Sequence, residues 1–325
     1  MKRYAKVHIE ISNVCNLKCG FCPAVVREHK LMDLELFRSA IRQVAPIAEQ
    51  VALHLMGDPL VHPRLQEFVE IAHAARARLF LVTNGVLLRE KQVALLLHPA
   101  FRQVNFSLHS FPDNFPDRDP AEYLEKIFAY TERALEERPE LYLNYRLWNL
   151  REIRGQRATN LDILRRVGER FGVPVPTSVD VLKKKSHRLV GRLYLHFDTE
   201  FVWPDLALPV LGERGRCHGL SSHFGILVDG TVVPCCLDKE GSIPLGRLID
   251  QPLERILNGP RAQAMLDGFR KRHLVEDLCR RCQYIERFGA KGDRSNVPQN
   301  PGPRRDRHGH RVRIDRDRVP AALQS

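Results

Sequence analysis

Two hydrophobic periods alternate along the first two hundred residues. Val7-His8-Ile9-Glu10-Ile11 switches between apolar and polar at every position and breaks at Ser12-Asn13, which predicts a half-buried strand and then a loop. Asp33 precedes Phe37, Ile41, Val44 and Ala48, spaced four, three and four, which predicts a capped amphipathic helix. Residues 51–55 predict a second strand ending at Gly57, and Pro63 opens a helix carrying Leu65, Phe68, Val69 and Ala72 on one face. The pattern recurs: strand 79–82 closed by Thr83-Asn84-Gly85, helix 91–97, strand 104–108, then a helix from Asp119-Pro120 bearing Leu124, Ile127, Phe128, Thr131 and Leu135. Strand 141–147, a helix capped by Asn160 and ending at Phe171-Gly172, and strand 192–197 complete it.

Strands separated by helices pair in parallel through right-handed crossovers. Six units are too few to close an eight-stranded barrel, so the expected fold class is α/β, a partial (β/α)6 TIM-like barrel over residues 1–202. Chemistry in such folds sits on loops after the strand C-termini. The alternation stops near Trp203. Residues 203–285 are expected to form a small cysteine-rich module, with a tight hairpin turning at Asp229-Gly230 between two β-rich runs. Residues 286–325 read as a disordered basic tail, rich in Pro, Gly and Arg.

Composition narrows the function classes. Among 325 residues, 43% are hydrophobic and 28% charged, which excludes a wholly disordered chain and a disulfide-stapled miniature. No apolar run approaches the ~20 residues of a membrane span, and the charged start has no apolar block behind it, so a cytoplasmic protein is expected. The net charge is +12, of which the tail from Glu286 onward carries +5. The surplus is thus partly a solubilising tail, with an RNA or other polyanion contact as the alternative.

Eight cysteines are gathered into two groups, three within residues 15–22 and five within 217–282. In a reducing compartment such clustering points to metal ligands or redox centres. Cys15-x3-Cys19-x2-Cys22 offers three thiolates on the loop after strand one. A four-iron cubane takes four ligands, so three cysteines leave one iron open. A tetrahedral zinc completed by His8 or His29 is the alternative.

Cys15-Asn16-Leu17-Lys18-Cys19-Gly20-Phe21-Cys22, with Phe21 before the third cysteine, resembles the signature of radical S-adenosylmethionine (SAM) enzymes. The resemblance implies a [4Fe–4S] cluster on Cys15, Cys19 and Cys22 whose open iron chelates SAM. Reductive cleavage of SAM would then yield a 5′-deoxyadenosyl radical that takes hydrogen from substrate. Met56-Gly57-Asp58-Pro59 is similar to the family's Gly-Gly-Glu-Pro segment, which makes Gly57 and Asp58 candidate SAM contacts, although Met56 and Asp58 depart from it. Ser107 and Arg146 stand on strands where the family contacts SAM ribose and carboxylate, and His109 and Trp148 stand where they would line a substrate pocket or pack in the core.

The second group, Cys217-x12-Gly230-x4-Cys235 followed by Cys279-x2-Cys282, resembles the shortened SPASM or twitch domain behind many radical SAM barrels. That implies one auxiliary [4Fe–4S] cluster on Cys217, Cys235, Cys279 and Cys282, with a structural zinc as the alternative. Cys236 is a spare, a packing residue or a substitute ligand. The implied function is SAM-dependent radical chemistry, the auxiliary cluster helping to oxidise or bind substrate. The implied partners are SAM, an electron donor such as flavodoxin or ferredoxin, and an organic, peptide or RNA substrate. The competing class is a metal-binding regulator of nucleic acid without SAM chemistry.

Overall fold

Period-two alternation on β1 (Lys6–Ile9) turns Val7 and Ile9, both fully buried, toward the helices, and leaves Lys6 and His8 on the opposite face of the sheet. The same division repeats along β2 (Val51–Ala52), β3 (Leu79–Thr83), β4 (Phe101–Ser107) and β5 (Tyr142–Leu150). In this computed structural model, which describes residues 3–288, those strands and β9 (Leu193–Thr199) lie in parallel in the order β1-β2-β3-β4-β5-β9. Between β5 and β9 come a small antiparallel pair, β6 (Arg154–Gly155) with β7 (Val179–Asp180), and β8 (Ser186–Arg188), which edges the main sheet. Six parallel strands in an open sheet make the expected partial barrel. The basic tail lies outside the described residues from 289 onward.

Helices cover the outer face. The carboxylate of Asp33 accepts the Glu35 and Leu36 amides to cap α1 (Leu34–Val44), and Phe37, Ala40, Ile41 and Val44 bury its stripe. On α2 (Leu65–Ala74) the buried positions are Leu65, Phe68, Val69 and Ala72, and Phe37 meets Phe68 at a ring separation of 4.6 Å. α3 (Glu90–Leu96), the short α4 (Ser110–Asn114) and α5 (Ala121–Glu137) follow. In α6 (Ala158–Phe171) Asn160 is not the cap. It lies in the first turn, fully buried, with its amide paired to Asn149 and Gln156, because the end of β5 presents an amide that must be satisfied. The helix closes as expected at Gly172, in the left-handed conformation.

The cysteine-rich segment is stitched to the barrel. β10 (His223–Ile226) pairs in parallel with β1 and extends its sheet, followed by β11 (Thr231–Val233) and β12 (Gly246–Arg247). The hairpin is wider than a two-residue turn. Leu227 donates to Thr231 O at 2.8 Å, which leaves Val228, Asp229 and a left-handed Gly230 in the loop, a three-residue connection ending in a positive φ. α7 (Leu253–Leu257), α8 (Pro260–Arg270) and α9 (Asp277–Arg280) complete the segment. Among the described residues, no helix is long and apolar enough to cross a membrane.

Candidate cluster and SAM site

The loop after β1 is closed at its neck before it presents any cysteine. Met32 N donates to Ile11 O at 2.8 Å, Asn13 donates its side-chain amide to Glu28 O at 2.8 Å, and Lys30 N returns a bond to Asn13 Oδ1 at 2.7 Å. Inside that neck Cys15 and Cys22 are exposed and Cys19 is half-buried. Hydrogen-bond donors converge on the sulfurs: Leu17 N on Cys15 Sγ at 3.4 Å and Asn114 Nδ2 on Cys19 Sγ at 3.2 Å. α4 holds the loop through Asp113, which accepts Gly20 N at 2.6 Å, and Asn114, which accepts Lys18 N at 2.9 Å. Without a metal two of these thiols, Cys15 and Cys22, resist ionisation. The surrounding protein, joined by the Asp58 carboxylate, pushes Cys15 up to about 12, and Cys22 rises well above its ordinary value because it donates to Cys19, whose own pKa falls. A cationic metal centre inverts that balance, and sulfur-directed N–H groups stabilise bound thiolates. The donor set fits an iron–sulfur cluster.

Gly57 brings the β2 loop against the cysteine loop. Its φ is +72°, and a Cβ there would lie 2.5 Å from Ser12 O and 2.6 Å from Val14 O. Asp58 N donates to Val14 O at 2.9 Å, so the two loops touch backbone to backbone. The Asp58 carboxylate is turned inward, 3% exposed, and accepts from Thr83 Oγ1, from Asn84 N at 2.7 Å and from Leu60 N at 2.9 Å. It thereby sets Asn84, whose amide reaches Asn16 Oδ1 at 2.9 Å and points to Cys15 Sγ at 3.8 Å.

Ser107 ends β4 in register with Arg146 of β5. The Phe21 ring lies 4.6 Å from His109, which donates to Arg146 O at 2.9 Å. The Arg146 guanidinium stacks 3.5 Å over Trp148, whose indole donates to His196 Nδ1 at 2.7 Å. Of the two histidines considered for zinc, His29 is exposed on the loop and His8 is buried, bonded through Nδ1 to His54 O at 3.0 Å.

The second group also converges. An added Cβ on Gly219 would meet Cys217 Sγ at 3.6 Å and Cys235 Cβ at 3.8 Å, and Gly219 N donates to Cys217 Sγ at 3.3 Å. Cys279 interacts electrostatically with Cys217 and Cys282, and Cys235 with Cys217 and Cys279. Cys236 faces the other way as well: it interacts with Lys6 and Arg146 and packs on the apolar group Leu55, Met56, Leu227 and Val233. Among the described residues, no three His, Cys, Asp or Glu side chains stand at single-ion ligand spacing.

Some site residues carried no sequence signal of their own. Glu10, fully buried at the end of β1, takes Arg27 Nη2 at 2.7 Å, Met56 N at 3.1 Å and Val228 N at 3.1 Å, joining both loops to the hairpin. Glu240 accepts Val26 N and Arg27 N. Glu10 was visible only as a polar step in an alternating strand, and the pairing of Asp113-Asn114 with the cysteine loop had no visible trace.

Comparison with known proteins decides the family. Residues 9–148 match the model of the radical SAM superfamily and residues 217–283 that of an iron–sulfur cluster-binding domain, SPASM. The chain belongs to the radical SAM superfamily. Its curated relatives include an S-adenosyl-L-methionine-dependent 2-deoxy-scyllo-inosamine dehydrogenase of Niallia circulans, 28% identical over 34% of this chain and 46% of that protein. A GTP 3′,8-cyclase of Chlorobaculum tepidum is 27% identical over 40% of each. This radical SAM chain therefore matches less than half the length of either relative. Among solved structures, BtrN in complex with AdoMet and 2-DOIA superposes with a TM-score of 0.53 at 18% identity, covering 87% of this chain and 94% of that one. Native anSMEcpe with bound AdoMet and a peptide gives 0.54 at 14% identity, covering 86% and 89%. At those identities the likeness establishes the fold. Iron–sulfur clusters and SAM are the cofactors of the two matched regions.

Proposed function

We propose that this chain is a radical SAM enzyme whose first cysteine group holds a SAM-binding [4Fe–4S] cluster and whose second holds one auxiliary [4Fe–4S] cluster. The observation that carries the reading is the pair of loops at Gly57: three thiols on one, a second loop in backbone contact with it, and N–H donors aimed at the sulfurs. When bound, the cluster and SAM supply one-electron cleavage of a sulfonium and abstraction of a hydrogen atom. The chain's own residues place and enclose that chemistry. Asn114 and Leu17 N–H stabilise thiolates, Gly57 lets a backbone edge approach the cluster, and Asp58 acts by positioning Thr83 and Asn84. Phe21 shields the cluster loop against His109, Ser107 faces SAM from β4, and Arg146 of β5 turns into the lumen beside it, stacked on Trp148.

We place substrate in the barrel lumen between the two groups, where Arg146 interacts with both Cys22 and Cys236. The auxiliary cluster serves to bind substrate or accept its electron, and the source electron comes from a flavodoxin- or ferredoxin-type donor. Free cysteines throughout suit a reducing cytoplasm. Anaerobic reconstitution is expected to give about eight irons and eight sulfides per chain. Replacing Cys15, Cys19 and Cys22 together by alanine should leave about four of each and abolish formation of 5′-deoxyadenosine from SAM under dithionite. Unchanged cleavage in that variant would refute the assignment.

A further inference from the structure

The lumen between the cysteine groups carries two cations, Lys6 and Arg146, that stand in no direct ion pair among the described residues. Alternation puts Lys6 and His8 on the inner face of β1, Arg146 and Trp148 on that of β5, and His196 and Asp198 on that of β9, while Val7, Ile9, Tyr145, Leu147, Leu195 and Phe197 are buried under the helices. His54 enters from the loop after β2. The His54 ring lies 5.5 Å from His8 and 5.3 Å from Phe80, the ring that Lys6 covers, while His196 lies 5.5 Å from Trp148, the ring that Arg146 covers; the charges of Lys6 and Arg146 are felt by each other's neighbours, His54 and His196.

Among the described residues, neither Lys6 nor Arg146 forms an ion pair. Lys6 Nζ lies 3.9 Å above the Phe80 ring and Arg146 stacks on Trp148, so aromatic faces stand where a carboxylate would ordinarily be. The acids nearby make their direct ion pairs with other cations, although Asp198 still attracts Arg146 at longer range. Asp198 is held by Lys185 at 2.8 Å and Arg287 at 2.9 Å, and Glu10 by Arg27. Two polar atoms in the same space, Arg146 Nε and His54 Nδ1, are buried without a partner. Unsatisfied buried donors and paired like charges are costly unless a ligand completes them. Burial presses Lys6 down to about 8, with Arg146 adding to the shift, and presses Arg146 down to about 10 against the opposing pull of Asp198.

We propose that this lumen binds an oxyanion of the substrate, a carboxylate or a phosphate ester, between Lys6, Arg146 and His54. The inference rests on the radical SAM reading and narrows its substrate class. A planar guanidinium fork with a free Nε matches an oxyanion, an ammonium adds a point charge from the opposite wall, and an imidazole supplies a third polar contact. The same charges disfavour an amine-bearing substrate, which would have to enter as a cation beside two others.

The test uses reconstituted holoprotein saturated with SAM. Equilibrium dialysis with labelled inorganic phosphate and, separately, labelled acetate should reveal one saturable site per chain, and the tighter probe identifies which oxyanion the site prefers. Ethanolamine and myo-inositol should not compete. Lys6→Met and Arg146→Gln, each with the parent's iron content, should weaken binding about tenfold or more. Absence of saturable binding would overturn the proposal. So would binding unchanged in both variants, which would mark an adventitious ion only. A Lys6→Met protein whose cluster EPR or reduction potential shifts while anion affinity stays constant would also overturn it, because the charge would then serve the clusters. SAM cleavage without substrate, measured on the same preparation, separates the two readings. No cleavage sinks the radical SAM assignment, whereas cleavage without anion binding sinks this inference alone.

Discussion

Replacing Arg27 with methionine should destabilise the protein strongly without touching any cysteine side chain. Arg27 contacts the Glu10 carboxylate at 2.5 and 2.7 Å, with their side chains 18% and 0% exposed, and donates through Nε to Lys239 O at 2.6 Å. Methionine keeps most of the volume but leaves Glu10 with two backbone donors and no counter-charge. Removing one partner of a buried pair typically costs 3–5 kcal/mol. For a chain of this size that corresponds to a fall in melting temperature of roughly 5–15 °C. Burial already holds the Glu10 pKa above its ordinary value against the opposing pull of Arg27. Losing Arg27 raises it further. A folded-state acid with a raised pKa loses stability as pH rises through that value, so the deficit should be smallest in acid and grow toward neutrality. Adding Glu10→Gln should recover part of the loss, since an amide needs no cation and its oxygen still accepts an N–H. Anaerobic thermal melts by circular dichroism, with iron content measured on the same samples, provide the assay. A shift below about 2 °C, or an equal loss from Arg27→Met in the Glu10→Gln background, would refute the buried-pair account.

Two further predictions concern the loops and the lumen. Gly57→Ala places a methyl 2.5 Å from Ser12 O at a φ of +72°, so the cysteine loop must move and iron should fall toward about four per chain. Gly172→Ala, also left-handed but facing open space, should cost only about 1 kcal/mol and keep its iron; full iron in Gly57→Ala would show the contact dispensable. For pH, burial presses His8 and His109 down to about 3, from an ordinary value near 6.5. The unfolded chain therefore takes up these protons first. Their contribution is complete above pH ~6.5 and is lost as pH falls toward 3, roughly 2 kcal/mol each by pH 5. Melts between pH 7.5 and 5 should fall steeply, and less so in His8→Gln; a flat profile would contradict their burial as neutral groups.

Strand, helix and cysteine spacing were determined locally, and they were legible. Period-two alternation in Val7-His8-Ile9 and four-three-four spacing at Phe37, Ile41 and Val44 encode which face is buried, because each depends only on backbone geometry. The loop of Cys15, Cys19 and Cys22 is likewise a local arrangement, and the family models agree with its reading. Tertiary structure decided what depends on residues far apart in the chain. Asn160 looked like a cap until Asn149 claimed its amide, and the hairpin lengthened because Leu227 pairs with Thr231. Asp58, read as a cofactor contact, spends its oxygens on Thr83 and Asn84, twenty-five positions away and more. Lys6 carried no signal of its own, and Arg146 was legible only as a candidate SAM contact; that Lys6 lies over Phe80 and Arg146 over Trp148, neither in an ion pair among the described residues, depends on how the sheet curves. Long-range pairing has no period to be read from one sequence, since contacts between distant segments are set by how the layers pack.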